Sequence, residues 1–239
     1  MKLSYANYIL KKVQKDYNDI ADEFSRTRSS IWPETKFLGD KIENGDKILD
    51  VGCGSGRLYE LFSDRKIEYF GIDFAKRLIK LAKRKYSEDT GKEEKKNIPT
   101  FINIDALRLP FDDNFFDKIF SVAVLHHIPS SEKRLEFLLE IKRVLKPGGE
   151  VFLTVWNLWQ KKYIKLILKF SGKKIFKKSK LDFFDVFLPF QNNQRYYHCF
   201  RKKELEDIIK EAGLKVKEIR FLERNNKNCN IFVCGRKLF

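Results

Sequence analysis

One stretch of nine residues constrains the fold of this chain more than any other feature of its sequence. It reads Ile48-Leu49-Asp50-Val51-Gly52-Cys53-Gly54-Ser55-Gly56. The apolar run before Gly52 predicts a buried strand, and the alternating glycines predict a tight turn whose backbone can approach a ligand closely. A dinucleotide fold would space its glycines as G-x-G-x-x-G around a pyrophosphate. The carboxylate of Asp50 at the head of the loop favours a positively charged ligand instead.

Strand patterns alternate with helical patterns through most of the chain. This alternation predicts an α/β fold in which a doubly wound, mostly parallel sheet is covered by helices on both faces. The predicted strands cover residues 47–51, 69–72, 101–104, 118–124 and 151–155. The predicted helices cover residues 57–62, 76–86, 132–145 and 202–212, with Ser130 or Ser131 capping the third. Residues 216–222 and 231–234 predict an antiparallel C-terminal hairpin, and residues 87–99 predict a charged surface loop.

The length and the 43% hydrophobic content suffice for one core, so we expect a single domain over residues 1–239. Within this domain, residues 1–46 are predicted to form a helical cap on the substrate side, and residues 157–195 a basic insertion. Residues 161–180 carry nine lysines among aliphatic side chains. Such a segment can follow a phosphate backbone, lie on an anionic membrane, or cover the domain with lysine stems.

Charge and hydropathy narrow the classes of partner and location. A net charge of +16 favours a polyanionic partner such as nucleic acid, although a lysine-rich genome explains it equally well. The longest apolar stretches, 151–156 and 186–190, fall far short of the roughly 20 residues that span a bilayer, so no stable membrane insertion is expected. The N-terminal apolar residues show helical spacing rather than an export signal. We therefore expect a cytoplasmic protein.

The four cysteines show no C-x-x-C pairing, which favours reduced thiols. A zinc site would need His198, Cys199, Cys229 and Cys234 to converge. Cys229 and Cys234 bracket an apparent strand and differ by an odd number, so their side chains would point to opposite faces. No metal site is predicted.

Three aspartates stand at the ends of the first three predicted strands. Asp50 heads the glycine loop, Asp73 ends the second strand, and Asp105 ends the third. All three face the carboxyl edge of the sheet, where open α/β folds bind ligands. Asp73 can accept hydrogen bonds from both hydroxyls of an adenosine ribose, and Asp105 can accept one from the adenine amino group. Alone, each aspartate is better explained as a helix cap, but together with the loop they predict a nucleoside site.

With these residues the chain resembles class I S-adenosylmethionine-dependent methyltransferases, and the likeness extends through residues 112–117, 121–127 and 145–149. More narrowly, it resembles the tRNA wobble-uridine carboxymethyl methyltransferases, including the methyltransferase module of the AlkB-like tRNA hydroxylases. The segments that carry this likeness are Tyr17-Asn18-Asp19-Ile20-Ala21, Phe24-Ser25-Arg26-Thr27-Arg28, Trp32-Pro33, Ser121-Val122-Ala123-Val124-Leu125-His126-His127, Asp185-Val186-Phe187-Leu188-Pro189-Phe190 and Arg195-Tyr196-Tyr197-His198-Cys199-Phe200. The chain departs from the family at Phe190, usually Trp, and at Asn228-Cys229-Asn230, which replaces an Asn-Trp pair.

The resemblance implies S-adenosylmethionine as the cofactor and tRNA as a partner, and eukaryotic family members add a small zinc-binding activator protein. Together with the net charge, it favours a phosphate backbone as the partner of the lysine-rich segment. The donor-binding residues implied here are Asp50, Gly52, Cys53, Gly54, Gly56, Arg57, Asp73, Phe74, Asp105, Ala106 and Ser121.

The segment after the fourth predicted strand bears on the methyl acceptor. It reads Leu125-His126-His127-Ile128-Pro129, whereas enzymes that methylate an exocyclic base amine usually have an Asn/Asp-Pro-Pro-aromatic loop there. Adenine-type N-methylation is therefore disfavoured. A carboxylate acceptor, with a pKa of about 4, is ionised at neutral pH and needs a positioned cation rather than a general base.

Arginine can hold a carboxylate with two parallel hydrogen bonds, so Arg26, Arg28 and Arg195 are candidates. Arg28 stands out because it lies between Phe24 and Trp32. For His126 and His127, a structural role explains the sequence as well as a catalytic role does. Residues 196–198 could contact a nucleobase or form a lid over the core. The predicted catalytic residues are Arg28, His127, Arg195, Tyr197 and His198.

The leading functional hypothesis is an enzyme that esterifies the carboxymethyl group of a wobble uridine in tRNA. A methyltransferase acting on a small molecule, such as a quinone or lipid precursor, is the alternative, because this fold hosts many acceptors. A tRNA-binding module without turnover is a third reading, disfavoured by the intact donor motif.

Overall fold

The computed structural model describes residues 1–87 and 98–239, and its framework is a set of nine strands within those residues. The strands are β1 (Lys47–Val51), β2 (Glu68–Asp73), β3 (Thr100–Asn103), β4 (Phe116–Val122), β5 (Leu145–Trp156), β6 (Asp185–Phe190), β7 (Asn193–His198), β8 (Lys215–Arg224) and β9 (Lys227–Arg236). Seven of them form one sheet in the order β3-β2-β1-β4-β5-β9-β8, and β6 pairs with β7 in a separate hairpin.

Strands β1 to β5 are parallel to one another, whereas β9 is antiparallel to both β5 and β8. The predicted mostly parallel sheet and its antiparallel C-terminal hairpin are therefore confirmed. The β6–β7 hairpin is not among the predicted elements, because residues 157–195 are predicted only as a basic insertion, without strands of their own. The surface loop predicted at residues 87–99 falls almost wholly on residues 88–97, outside those that the structure describes.

The helices are α1 (Leu3–Asp19), α2 (Ala21–Thr27), α3 (Lys76–Lys85), α4 (Ser131–Val144), α5 (Lys161–Ile175) and α6 (Lys202–Glu211), with 3₁₀ helices at Pro33–Lys41, Arg57–Leu61 and Leu125–His127. The predicted cap of α4 is Ser130, whose hydroxyl accepts from the Lys133 backbone N–H at 3.3 Å. The helix predicted at residues 57–62 is instead the 3₁₀ helix. Helix α4 ends at Val144 and β5 begins at Leu145, so Pro147-Gly148-Gly149 lies inside a strand that starts earlier than the predicted 151–155.

The sheet is buried on both faces because its strands are apolar at successive positions. Leu49 and Val51 pack with α4 residues such as Phe137 on one face, whereas Ile48 packs with Phe120 on the other. Each large side chain buried in this way stabilises the fold by about 2 kcal/mol relative to an exposed one.

A further layer covers the carboxyl edge of the parallel strands. Helix α1 packs through Val13 and Tyr17 against Leu78 of α3 and Tyr196 of β7. Residues 1–46 are therefore largely helical, and residues 157–195 consist mainly of α5 and the β6–β7 hairpin. Within the described residues, no helix is both long enough and apolar enough to cross a membrane.

Candidate active site

A cavity opens at the carboxyl edge of the sheet, beneath α1, α2 and β7. The predicted site residues that line it are Gly52, Cys53, Gly54, Arg57, Asp73, Phe74, Asp105, Ala106, Arg28, His127 and Arg195. The predicted site residues that lie outside its lining are Asp50, Gly56, Ser121, Tyr197 and His198.

The glycine loop after β1 forms one wall of the cavity. Gly52 has a φ of +75°, and a Cβ added there would lie 2.3 Å from a methyl carbon of Val124, so no other residue fits. The backbone N–H groups of Gly52 and Cys53 both donate to the Ile72 carbonyl, at 2.8 and 2.9 Å, which fixes the loop to β2. Gly56 is required for a different reason than predicted, since a Cβ there would meet the Phe101 ring at 2.7 Å.

Asp73 is the buried anion of the cavity. Its carboxylate accepts from the Gly54 backbone N–H at 3.0 Å and from that of Ala75 at 2.8 Å. Burial raises the pKa of Asp73 to about 6, even though these bonds favour the ionised form. A carboxylate has about four lone-pair sites, so two remain for hydroxyl donors of a ligand. Asp105 also lines the cavity, and its Oδ1 accepts from the Leu107 N–H at 3.0 Å.

Two residues predicted to bind the donor, Asp50 and Ser121, lie in strands outside the cavity lining. Asp50 accepts from the Tyr69 hydroxyl at 2.6 Å, and its burial raises its pKa to about 7. Its side chain therefore braces β1 against β2. Ser121 is fully buried in β4, and its hydroxyl has no hydrogen-bond partner among the described residues.

Three arginines, Arg28, Arg57 and Arg195, also line the cavity. None of the three forms an ion pair with an acidic side chain within residues 1–87 and 98–239. Arg195 is only 4% exposed. Burial and the nearby charge of Arg195 lower the pKa of Arg28, and burial lowers that of Arg57 to about 10. Arg26, by contrast, pairs with Glu23 on the exposed side of α2 at 2.6 Å.

His127 belongs to a chain of hydrogen bonds that ends on Arg195. The Tyr196 carbonyl can only accept, so His127 Nδ1 donates to it, at 2.9 Å. Burial lowers the pKa of His127 to about 3, so the ring is neutral and its Nε2 accepts from the Tyr17 hydroxyl at 2.7 Å. The Tyr17 oxygen accepts in turn from Arg195 at 3.4 Å. The ring nitrogens of His127 are therefore engaged with protein groups.

Tyr197 and His198 lie outside the cavity lining, and both are engaged with other side chains. The Tyr197 ring stacks on Trp156 and on His126, at centroid distances of 5.1 and 5.3 Å. His198 lies between two carboxylates, with Nδ1 2.8 Å from Asp185 and Nε2 2.6 Å from Glu204. A direct role for His198 on a substrate is therefore not supported by its position, because neither ring nitrogen is free.

Several lining residues were not predicted as site residues. Tyr17, Phe24, Trp32 and Trp156 add aromatic surface to the cavity. Tyr17 follows the helical spacing of α1, which is also the spacing of a core residue, so the pattern does not reveal its hydroxyl bonds. Arg57 lies 4.3 Å from the centre of the Trp32 ring, which positions both at the cavity mouth.

These residues fit an S-adenosylmethionine molecule. Asp73 and Asp105 offer acceptors for the hydroxyls and amine of its adenosine, the loop at Gly52 and Gly54 offers a backbone wall without side chains, and Arg57 suits its carboxylate. When bound, this cofactor supplies an electrophilic methyl group. In the part of the chain that the structure describes, no group of three or more His, Cys, Asp or Glu side chains is placed to hold a metal ion.

Comparison with known proteins supports this assignment. Residues 49–153 match the family described as methyltransferase domain. A Schizosaccharomyces pombe protein named tRNA (carboxymethyluridine(34)-5-O)-methyltransferase is 29% identical over 91% of this chain and 93% of its own length. An Arabidopsis thaliana protein of the same name is 36% identical over 61% of this chain. The match spans only 33% of that plant protein, and 20% of a similarly named mouse relative.

Solved structures share the fold. A Methanosarcina mazei SAM-dependent methyltransferase matches with a TM-score of 0.72 at 24% identity, covering 88% of this chain and 99% of its own. A chain from the complex of the Haloferax volcanii Trm112 methyltransferase activator with a methyltransferase matches with a TM-score of 0.66 at 18% identity, covering 95% of this chain and 98% of that one. The sheet order, the residues around the glycine loop and the sequence matches agree: the chain is an S-adenosylmethionine-dependent methyltransferase with the class I fold, and its sequence is similar to proteins named tRNA (carboxymethyluridine(34)-5-O)-methyltransferase.

Proposed function

We propose that this enzyme methylates the carboxymethyl group of a wobble uridine in tRNA and so converts a carboxylate into a methyl ester. The observation that carries the proposal is the buried guanidinium of Arg195, which lines the cavity near Arg28 and has no acidic partner among the described residues. The names of the S. pombe and A. thaliana relatives support the choice of substrate.

Burying an unpaired cation costs several kcal/mol, and a second cation beside it adds repulsion. Among the described residues, Arg195 is compensated by a 3.4 Å bond to the Tyr17 oxygen and by the rings of Phe190, Tyr197 and Tyr17, at 4.4, 5.4 and 5.9 Å from its guanidinium carbon. An anionic acceptor would offset this cost by pairing with both arginines. A neutral hydroxyl, amine or carbon acceptor would leave the two positive charges unpaired. The cavity therefore favours a carboxylate.

The state of His127 agrees with a reaction that needs no general base. An ionised carboxylate carries its own nucleophilic lone pair, so no proton has to be removed from it. The lone pair of neutral His127 is already used by the Tyr17 hydroxyl. The residues of this chain then bind the acceptor through Arg28 and Arg195, orient it toward the glycine loop, and exclude water with Phe24 and Trp156.

The test is methyl transfer from labelled S-adenosylmethionine to total tRNA that contains carboxymethyluridine, followed by nucleoside analysis. We expect label in one nucleoside, from which mild alkali releases it as methanol, because an ester hydrolyses whereas N-methyl and C-methyl groups do not. Alkali-stable label, or transfer to a small organic acceptor with none to RNA, would contradict the proposal. A cytoplasmic location accompanies this function, since its substrate is a tRNA.

We also propose a small zinc-binding activator protein as a partner. The Haloferax volcanii methyltransferase of the same fold, solved with the Trm112 activator, supports this suggestion. Co-expression with a Trm112-type protein should raise the yield and the specific activity on tRNA. Purified enzyme that is soluble, monomeric and fully active on tRNA by itself would refute it.

A further inference from the structure

A second surface, near one end of α1, carries exposed aromatic and basic side chains. The segment after α5 folds against the first turns of α1, because Asp182 binds the amino group of Met1 at 2.5 Å and the ammonium of Lys174 at 3.6 Å. Lys180 lies 5.6 Å from the centre of the Tyr5 ring. We call the surface formed by Tyr5, Tyr8, Phe176, Lys177, Lys178 and Lys180 the α1–α5 face.

The aromatic rings of this face are presented to solvent. Tyr8 is 58% exposed and Phe176 is 74% exposed. Tyr8 stacks on Tyr5 with a centroid distance of 5.7 Å and an interplanar angle of 18°, so its outer ring surface is held in a defined orientation. Exposed, oriented aromatic rings are platforms on which unpaired bases stack, at about 1–3 kcal/mol per base.

The charge of the face is not balanced locally. Residues 161–180 contain nine lysines and no acidic residue. Of these lysines, Lys174 alone forms an ion pair within the described part of the chain. Unpaired cations at this density attract a polyanion and release its counterions when it binds.

Both a membrane and an RNA are polyanionic, and the packing of α5 favours RNA. A helix that lies on a membrane presents a continuous apolar stripe to the lipid. The apolar side of α5 is instead used inside the protein, where Ile167 is buried and Leu166 and Phe170 pack with residues of the β6–β7 hairpin. What remains outside is a basic surface on which the exposed large apolar side chains of residues 161–180 are Leu168, Ile175 and Phe176, too few to form a continuous apolar stripe.

Helix α1 connects this face to the cavity. Tyr8 lies on the face and Tyr17 lines the cavity nine residues later, a separation of about 14 Å along the helix axis at 1.5 Å per residue. Nine residues are about two and a half turns, so the two side chains project from opposite sides of α1 and a strand that joins them must also pass around the helix. Exposed Lys11 and Lys15 lie between them in the sequence, and Lys15 pairs with Asp19. A stacked strand advances about 3.4 Å per phosphate, so at least about four nucleotides are needed to cover this distance. We propose that the α1–α5 face binds the substrate RNA at least about four nucleotides from the acceptor; this assignment rests on the proposed function.

The experiment compares two double charge reversals. Lys177→Glu with Lys178→Glu changes the face, and Lys66→Glu with Lys215→Glu is the matched control, since those lysines precede β2 and begin β8 at the opposite edge of the sheet. All four side chains are exposed and form no ion pair within the described residues. Methyl transfer is measured on an anticodon stem-loop and on a trinucleotide, both with a central carboxymethyluridine, and stem-loop affinity is measured against salt. A third variant, Tyr8→Ala, tests stacking without a change of charge.

We expect the face variant to flatten the slope of log affinity against log salt by about 1.4, which is about 0.7 for each lost phosphate contact. Its KM for the stem-loop should rise at least tenfold, with kcat and the trinucleotide reaction unchanged, and Tyr8→Ala should raise the same KM. If the face variant and its control behave alike on the stem-loop, the face does not bind RNA. Lost binding to phosphatidylserine vesicles with intact RNA binding would assign the face to a membrane instead. No transfer from the wild-type protein to either RNA would refute the proposed function itself.

Discussion

Two parts of the cavity lining differ in how a buried charge is stabilised. We call the glycine loop with Asp73 and Asp105 the donor wall, and Arg28 with Arg195 the acceptor wall. On the donor wall, the carboxylate of Asp73 accepts hydrogen bonds from the backbone N–H groups of Gly54 and Ala75. On the acceptor wall, Arg195 is also buried, but within the described residues its side chain forms a hydrogen bond only to the Tyr17 oxygen, at 3.4 Å. The fold alone stabilises a buried charge that the backbone hydrogen-bonds. A buried cation in a cavity with no acidic side chain beside it gains its stabilising partner when an anionic ligand binds. The donor site is thus preorganised, and the acceptor site is completed by its substrate.

Replacing Arg195 should give the largest effect. Arg195→Met keeps much of the volume but removes the cation, so we expect kcat/KM for tRNA to fall on the order of 10³-fold, about 4 kcal/mol, as when one partner of a buried charge pair is removed. Because the unpaired charge costs stability, Tm should stay the same or rise. Steady-state kinetics and thermal unfolding measure the two effects.

Arg134→Met is the control for this substitution. Arg134 is also buried and also forms no ion pair among the described residues, but its guanidinium donates to the Ile128 carbonyl at 3.2 Å and lies outside the cavity lining. Whatever the change in Tm, Arg134→Met should leave kcat/KM of the folded enzyme nearly unchanged. If Arg195→Met lowers Tm and keeps its activity, then Arg195 is structural and the contrast between the two walls fails.

The donor wall is tested by Asp73→Ala. Loss of charge-assisted bonds to the ligand should weaken S-adenosylmethionine binding by about 2 kcal/mol, roughly 30-fold. Isothermal titration calorimetry measures the affinity. Asp50→Asn, a change behind the loop rather than in the cavity lining, should alter donor affinity by no more than a few-fold. If both variants lose the same donor affinity, the loss reflects a disturbed loop structure rather than a direct contact between Asp73 and the donor.

The two walls also differ in how far the sequence predicts them. Residues of the donor wall follow strands directly, so the apolar pattern that locates β1, β2 and β3 also locates the glycine loop, Asp73 and Asp105. On the acceptor wall, Tyr17 and Arg195 are 178 positions apart, and no local pattern announces their contact. Arg26 could have been removed from the candidates, because Glu23 lies three residues earlier on the same helix and pairs with it.

Other differences from the prediction have a similar cause. The predicted strand at residues 151–155 starts earlier, at Leu145, because the pairing register with β4 shifts between Phe116 and Lys118 and accommodates Pro147-Gly148-Gly149. His198 looks like a catalytic residue in sequence. Its two carboxylate partners, Asp185 and Glu204, are provided by β6 and α6, and only the tertiary structure brings them together.

A pH titration of donor affinity sharpens the role of Asp73. Its pKa is raised to about 6, and only the ionised carboxylate accepts hydrogen bonds from both ribose hydroxyls. Affinity should therefore be nearly full above about pH 7, about half at pH 6 and about one tenth at pH 5. Asp73→Asn should abolish this dependence. Titration by calorimetry between pH 5 and 8 provides the measurement, and a slope that survives in Asp73→Asn would assign it to another group.

Arg28→Lys tests whether the second arginine of the acceptor wall grips its ligand at two points. Among the described residues, the Arg28 side chain forms a hydrogen bond only to the Thr27 carbonyl, at 3.1 Å, which leaves most of its N–H groups for a carboxylate. Lysine keeps the charge but loses the paired donors, so turnover should fall about fivefold, roughly 1 kcal/mol. Donor affinity should be nearly unchanged. A variant with normal turnover would leave Arg195 to bind the acceptor without help from Arg28.

The smallest expected effect is that of pH on the chemical step. With donor and RNA saturating, the single-turnover rate should be flat from about pH 6.5 upward, because an ionised carboxylate has no proton to lose. His127 has a pKa lowered to about 3, so its charge does not change in that range. A rate that instead rises tenfold per unit through the ordinary histidine range would identify His126 or His127 as a base. That result would favour a hydroxyl or carbon acceptor, and with it a small-molecule substrate, since only such an acceptor must be deprotonated before it attacks.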